Sequence, residues 1–176
     1  TPEIYTLSLH DALPISGFSR LTQKYGIVHY LSMVLRMQLT SQPIIEKLGG
    51  QVVKFEADNC FAMFGSVLPA VKAAIRLNTA FDAINRFTED AFDIRVAIGI
   101  DYGGVLLTGG PDYFGDIVNS ASKLGEDVAG PGEILVTERA FREIPPEAGY
   151  TGKIITPALA GVRIKAYSLE YSRQAP

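Results

Sequence analysis

The sequence predicts an α+β domain, and three observations carry that prediction. Residues 49–64, GGQVVKFEADNCFAMF, set two short apolar runs on either side of a polar centre, Glu56-Ala57-Asp58-Asn59. Val and Phe favour strands and Asp-Asn favours a turn, so the stretch reads as a β-hairpin with Asp58 at its tip. Segments 21–48 and 68–87 repeat apolar residues at three- and four-residue steps, the period of amphipathic helices. Residues 92–101, FDIRVAIGID, have a nearly continuous apolar centre, which suits a central strand. Helices and hairpins in this order imply an antiparallel or mixed sheet with helices packed on it.

At 176 residues the chain is long enough for one domain with a substantial core. A hydrophobic share of 47% and a charged share of 20% are those of an ordinary globular protein. The net charge of −3, with Lys and Arg scattered, argues against a dedicated nucleic-acid binder, which carries a basic stripe. The single cysteine, Cys60, excludes an intramolecular disulfide and fits a reducing, cytoplasmic setting. No apolar run approaches the ~20 residues of a membrane-spanning helix.

The opening stretch 1–16, TPEIYTLSLHDALPIS, has neither a basic region nor a long apolar region and is no signal peptide. It alternates like a strand over 5–10 until Asp11 and Pro14 interrupt. It resembles the translated sequencing adapter found at the ends of some metagenomic reading frames. It is therefore expected to be non-native, with upstream sequence missing, a domain over 17–171 and a tail over 172–176. From Leu21 the positions Tyr25, Val28, Leu31, Leu35 and Leu39 form the apolar stripe of a first helix, which Ser19 is placed to cap. Pro43 is expected to interrupt it, and Gly49-Gly50 to end it after a short turn over 44–48.

In the second helix Pro69 suits the first turn, and Val71, Ala74, Ile75, Leu77, Phe81 and Ile84 form the core-facing stripe. Tyr102-Gly103-Gly104 reads as a turn after the central strand, with 105–108 returning to pair with it as a second hairpin. A loop at Gly109-Gly110-Pro111 leads into 112–128, whose later part is helical with Val118, Ala121, Leu124 and Val128 on one face. Strand 133–137, a short helix from Thr137, and two closing strands at 153–156 and 162–169 complete the chain. His29, inside the first helix, reads as a surface or partly buried residue rather than a ligand.

Several stretches, taken together and in order, resemble the catalytic domain of class III nucleotidyl cyclases, the adenylyl and guanylyl cyclase family. These are Ile15-Ser16-Gly17-Phe18-Ser19, VVKFEADN in the hairpin, IGIDYG over 98–103, GDIVNSASKL over 115–124, and PGEILV over 131–136. The resemblance spans 15–167. It implies a ferredoxin-like sandwich, dimerising head to tail with active sites at the interface. The implied reaction is attack of a nucleotide's ribose 3′-hydroxyl on its own α-phosphorus with loss of pyrophosphate, assisted by two Mg²⁺ or Mn²⁺ ions per site.

Carried over residue by residue, the resemblance makes Asp58 a metal ligand and Ile15 a backbone-carbonyl metal ligand. Gly17, Phe18 and Ser19 bind phosphate through backbone amides at a helix start. Lys54 and Asp112 read the base, as donor to adenine N1 and acceptor from the 6-amino group, a pair that favours ATP over GTP. Asn119 orients the ribose, and Lys123, four residues on along the same helical face, stabilises the transition-state phosphate. In one dimeric site, Asp58, Ile15 and the Gly17–Ser19 loop come from one subunit and Lys54, Asp112, Asn119 and Lys123 from the other. Asp116 matches a family Asp of structural character, placed to cap its helix.

The chain departs from the pattern at four places. Pro14 stands where the family has its first metal Asp, Ala57 replaces a Gly, and Lys123 replaces an Arg and so lacks the planar fork. Ala160 occupies the place of a phosphate-contacting lysine, with Lys165 nearby but shifted. Read alone, each site residue also has a plain structural meaning: Asp58 a turn-former, Lys54 an exposed strand lysine, Asp112 a loop residue, Lys123 part of a polar helix face. The alternative reading is therefore a cyclase-like module that dimerises or binds nucleotide as a regulator without turnover. A ferredoxin-like nucleic-acid binder is a weaker third. Domains of this family are commonly fused to sensor or membrane modules, so an upstream sensor is an expected partner.

Overall fold

The structure, a computed structural model, describes residues 3–11, 22–104, 106–107, 113–114, 116–159 and 161–172. Its centre is a seven-stranded mixed sheet in the order β2-β3-β1-β4-β7-β11-β8. These strands are β1 (Glu3–Asp11), β2 (Gln51–Glu56), β3 (Asn59–Phe64), β4 (Val96–Gly104), β7 (Ile134–Thr137), β8 (Thr151–Ile155) and β11 (Ala166–Glu170). All neighbours are antiparallel except β4 and β7, which run parallel. The helices are α1 (Ile27–Lys47), α2 (Val67–Asn85), α3 (Asp116–Lys123), continued by a π-helical turn over Leu124–Val128, and α4 (Glu138–Arg142). Two-stranded ribbons pair β5 (Leu106–Leu107) with β6 (Tyr113–Phe114), and β9 (Ala158–Leu159) with β10 (Val162–Arg163). The α+β class and the mixed sheet agree with the sequence pattern.

Strand alternation sorts the side chains into two cores. Cys60, Ala62 and Phe64 of β3, Val96, Ile98 and Ile100 of β4, and Ile134 and Val136 of β7 face one way. There they meet Met33, Met37 and Ile45 of α1 and Val67, Ala70, Val71, Ala74, Leu77 and Phe81 of α2. The opposite face carries α3 and its π turn: Phe61 packs with Ile117, Val53 and Val118, and Leu124 with Leu135 and Ala166.

Four sequence expectations change. The stripe Tyr25, Val28, Leu31, Leu35, Leu39 does not face the core: those residues are exposed, Val28 at 77% and Leu39 at 68%. The buried row of α1 is His29, Met33, Met37, Ser41 and Ile45. Both rows follow the three- and four-residue steps of a helix, and the sheet takes the one with the flexible methionines. His29 is thus buried, its Nε2 2.9 Å from the Ala91 carbonyl oxygen and its ring between Tyr25 and Phe92. Pro43 does not interrupt α1, which runs through it. The carbonyl that Pro43 cannot bond, four residues back, belongs to solvent-facing Leu39, where water can satisfy it.

Gly103 and Gly104 do not turn the chain: they extend β4, opposite Ile4 and Glu3 of β1. The following residues, Leu106 and Leu107, pair with Phe114 and Tyr113 instead of returning along β4. Both flanks of β4 are already taken by β1 and β7, so no hairpin partner fits there. The adapter-like stretch contributes β1, paired on both sides between β3 and β4. Among the described residues no helix is long and apolar enough to cross a membrane.

Candidate active site

The β2–β3 hairpin forms as its sequence indicates, with Ala57 and Asp58 as the two-residue turn. Ala57 has φ 52°, the only positive φ of a non-glycine among the described residues. Positive then negative φ across the two positions is the sign pattern of a type II′ turn, which favours Gly first. The family's Gly at this position therefore has a steric reason, and Ala57 adopts the conformation at a cost.

Asp58 is half-buried at the tip. Among the described residues its carboxylate has no hydrogen-bond or ion-pair partner, and the neighbouring Asn59 Oδ1 is buried without one. Unpaired oxygen donors of this kind suit a hard divalent cation such as Mg²⁺ or Mn²⁺. No cluster of three or more His, Cys, Asp or Glu side chains able to hold a metal occurs among the described residues. Lys54, on β2 opposite Phe61, has its ammonium 3.0 Å from Glu56 and 5.3 Å from the Phe61 ring centroid.

Asn119 and Lys123 lie on α3, whose other side buries Ile117 and Ala121. Asn119 is exposed and Lys123 half-buried, and neither has a polar partner among the described residues. Two contacts seat this helix. Ile117 and Val118 pack with Phe61 and Val53 of the hairpin, so the helix with Asn119 lies over the strands flanking Asp58. Behind it α3 meets β4 at Gly99, where any Cβ would stand 2.0 Å from the Ala121 carbonyl oxygen and 2.8 Å from the Gly125 nitrogen. Backbone cannot yield there as a side chain would, so the close approach requires glycine.

Thus Lys54, Asp58, Asn119 and Lys123 belong to one packed unit of hairpin and helix. Ile15, Gly17, Phe18, Ser19 and Asp112 lie outside the described residues, as do Pro14 and Ala160. Lys165 is bound elsewhere: its Nζ is 2.8 Å from Glu138 Oε1, a bond that raises the lysine's pKa and lowers the glutamate's. The sequence reading missed a polar network beside this unit. Asp101, fully buried, accepts hydrogen bonds from Arg139 Nε at 2.7 Å, Arg139 Nη2 at 2.5 Å, Thr137 Oγ1 and the Tyr102 amide at 2.8 Å. Its signal was present: a charge at the end of a run assigned to the sheet centre needs partners.

No protein-family model matches the sequence, and no curated protein matches it. Solved structures do. The adenylyl cyclase CyaB from P. aeruginosa superposes with a TM-score of 0.80 at 19% identity, covering 98% of this chain and 95% of that one. An adenylate/guanylate cyclase/hydrolase from Silicibacter pomeroyi gives 0.74 at 24% identity, covering 95% of each. The guanylate cyclase domain of RhGC from Catenaria anguillulae, solved with GTP, gives 0.74 at 19% identity, covering 96% of this chain and 97% of that one. The chain has the fold of the class III nucleotidyl cyclase catalytic domain.

Proposed function

We propose that the chain is an adenylyl cyclase domain that converts ATP to 3′,5′-cyclic AMP and pyrophosphate. The supporting observation is the unit formed by α3 and the hairpin. It presents the amide of Asn119 and the ammonium of Lys123, without polar partners among the described residues, on a helix packed over the strands that carry Lys54 and Asp58. In this reading O3′ of the ribose bonds to the α-phosphorus and the bond to the β-phosphate oxygen breaks. The hydroxyl proton ends on the released pyrophosphate. Charge builds on the phosphoryl oxygens, so positioned cations and hydrogen-bond donors do most of the work.

Asn119 holds the ribose so that O3′ faces the phosphorus. Lys123 supplies a point charge to the phosphate, without the bidentate grip of an arginine. Lys54 donates to adenine N1 and Asp112 accepts from the 6-amino group, which selects ATP. Lys54 exchanges its exposed Glu56 partner for the base, an exchange that costs little for a surface pair. Gly17, Phe18 and Ser19 meet the phosphates through their amides. Asp58 with the carbonyl of Ile15 would hold the Mg²⁺ or Mn²⁺ ions, which when bound neutralise phosphate charge and acidify the 3′-hydroxyl. Two copies arranged head to tail complete two equivalent sites, with an upstream sensor as the regulatory partner and the cytoplasm, where ATP is held, as the setting.

The adapter-like stretch 1–16 replaces, on this reading, a native strand ending in Asp at position 14. An independent read of the gene checks this directly. The activity test is purified protein with ATP or GTP and Mn²⁺, with cyclic nucleotide resolved by chromatography. Cyclic AMP from the Pro14→Asp variant, in excess of cyclic GMP, is expected; no cyclic nucleotide from that variant overturns the enzyme. Pro14, Lys123 and Ala160, the departures from the family pattern, favour one second reading, a regulatory module that binds nucleotide or dimerises without turnover. Calorimetric ATP binding with no product from the Pro14→Asp variant is its signature.

A further inference from the structure

We propose that Arg139 is a positioning residue for α3, setting where Asn119 and Lys123 stand. The guanidinium bridges two carboxylates on different elements. Nε and Nη2 engage Asp101 of β4, and Nη1 lies 2.9 Å from Asp116 Oδ2, on the first residue of α3. The Asp101 end is immobile: its carboxylate is fully buried and also takes bonds from Thr137 and the Tyr102 amide. Thr137 Oγ1 in turn accepts from the Ala140 amide and caps α4, the helix that carries Arg139. With two of its nitrogens held by a buried acceptor, the planar fork fixes where the third can point.

Asp116 lies three residues before Asn119 and seven before Lys123, so it shares their side of the helix one and two turns earlier. The Asp116 side chain is 76% exposed and Arg139 43% exposed, so this outer ion pair adds little to stability. Its consequence is placement. Arg139 pins the first turn of α3, and the Gly99–Ala121 approach pins its last. Ile117, fully buried against Phe61, sets the distance of the helix from the sheet, and the Asp116–Arg139 contact sets which way its first turn faces. In a phosphoryl transfer governed by alignment, a shift of ~1 Å at the positioning groups costs up to about 100-fold in rate.

The kinetic consequence rests on the cyclase reading; the pinning of α3 does not. The variants are Asp116→Asn, Asp116→Glu and Arg139→Lys, each in the chain carrying Pro14→Asp. Arg139→Lys keeps a cation beside Asp101 but loses the second prong. Amide hydrogen exchange at 120–123, the first amides of α3 with intrahelical acceptors, is expected to quicken about 3-fold in Asp116→Asn with the sheet unchanged, and in Arg139→Lys together with β4, where buried Asp101 loses a bond. Their kcat is expected to fall about 10-fold or more with KM for ATP within about 3-fold. Asp116→Glu restores both readouts, and the double variant Asp116→Asn/Arg139→Lys is no worse than the worse single one. Unchanged exchange in both single variants overturns the proposal, as does a kcat loss that Asp116→Glu fails to restore. If the parent makes no cyclic nucleotide, the cyclase reading fails on its own and exchange alone decides the pin.

Discussion

At the scale of the residue, Ala57 shows how one backbone angle links turn chemistry to the site. A left-handed alanine is strained by about 1 kcal/mol, which a glycine would not be. Ala57→Gly is therefore expected to raise stability by about 0.5–1 kcal/mol, read as a shift in the urea midpoint with an unchanged slope. Cys60, at the next strand's buried face, gives a pH signature. Burial pushes its thiol from an ordinary 9.0 up to about 12. The folded state keeps the proton that the unfolded chain loses, so its contribution is complete below pH 9 and is lost as pH rises toward 12. Over that window the chain should lose about 1.4 kcal/mol per pH unit more than Cys60→Ala does, measured by denaturation at each pH. The same burial makes the thiol inert to alkylating reagents until the protein unfolds.

At the scale of the element, α1 and α3 illustrate opposite kinds of legibility. The helix-forming period of α1 is plain in its sequence, yet two interleaved rows, Leu31-Leu35-Leu39 and Met33-Met37-Ser41, compete for the core. Hydrophobicity alone ranks the leucines first, and the structure buries the methionines. Met37→Ala is therefore expected to cost about 2–4 kcal/mol, and Leu35→Ala less than about 1 kcal/mol, by equilibrium denaturation. A larger cost for Leu35→Ala than for Met37→Ala would mean that the helix is turned the other way. For α3, the motif GDIVNSASKL marks helix and polar face, but not what holds it. That role falls to Gly99 on β4 and Arg139 on α4, neither of which is near Asn119 in sequence.

At the scale of the whole molecule, the roles proposed for the hairpin divide between copies. Asp58 acts in one site and Lys54, four residues away, in the site across the dimer. The consequence is complementation. Asp58→Asn and Asn119→Ala are each expected to be inactive in chains carrying Pro14→Asp. Mixed in equal amounts, they form heterodimers with one intact site of two, and about one quarter of parental activity should return. No recovery on mixing, with dimers demonstrated by sedimentation, would mean that a single subunit supplies both residues to each site.

The α+β class, the hairpin with Asp58 at its tip, the two long helices and the Asn119–Lys123 face were legible in the chain's local pattern. Each is a local matter: turn residues, side-chain period and motif spacing act over a few neighbouring positions. Long-range packing settles which row of α1 meets the sheet, that β4 continues through Gly103 and Gly104, and that β5 turns to β6. The same holds for the burial of Asp101 under Arg139. These depend on which surfaces are free once distant segments have packed. β1 and β7 occupy both flanks of β4, and a buried carboxylate must be met by whichever cation the fold brings near it.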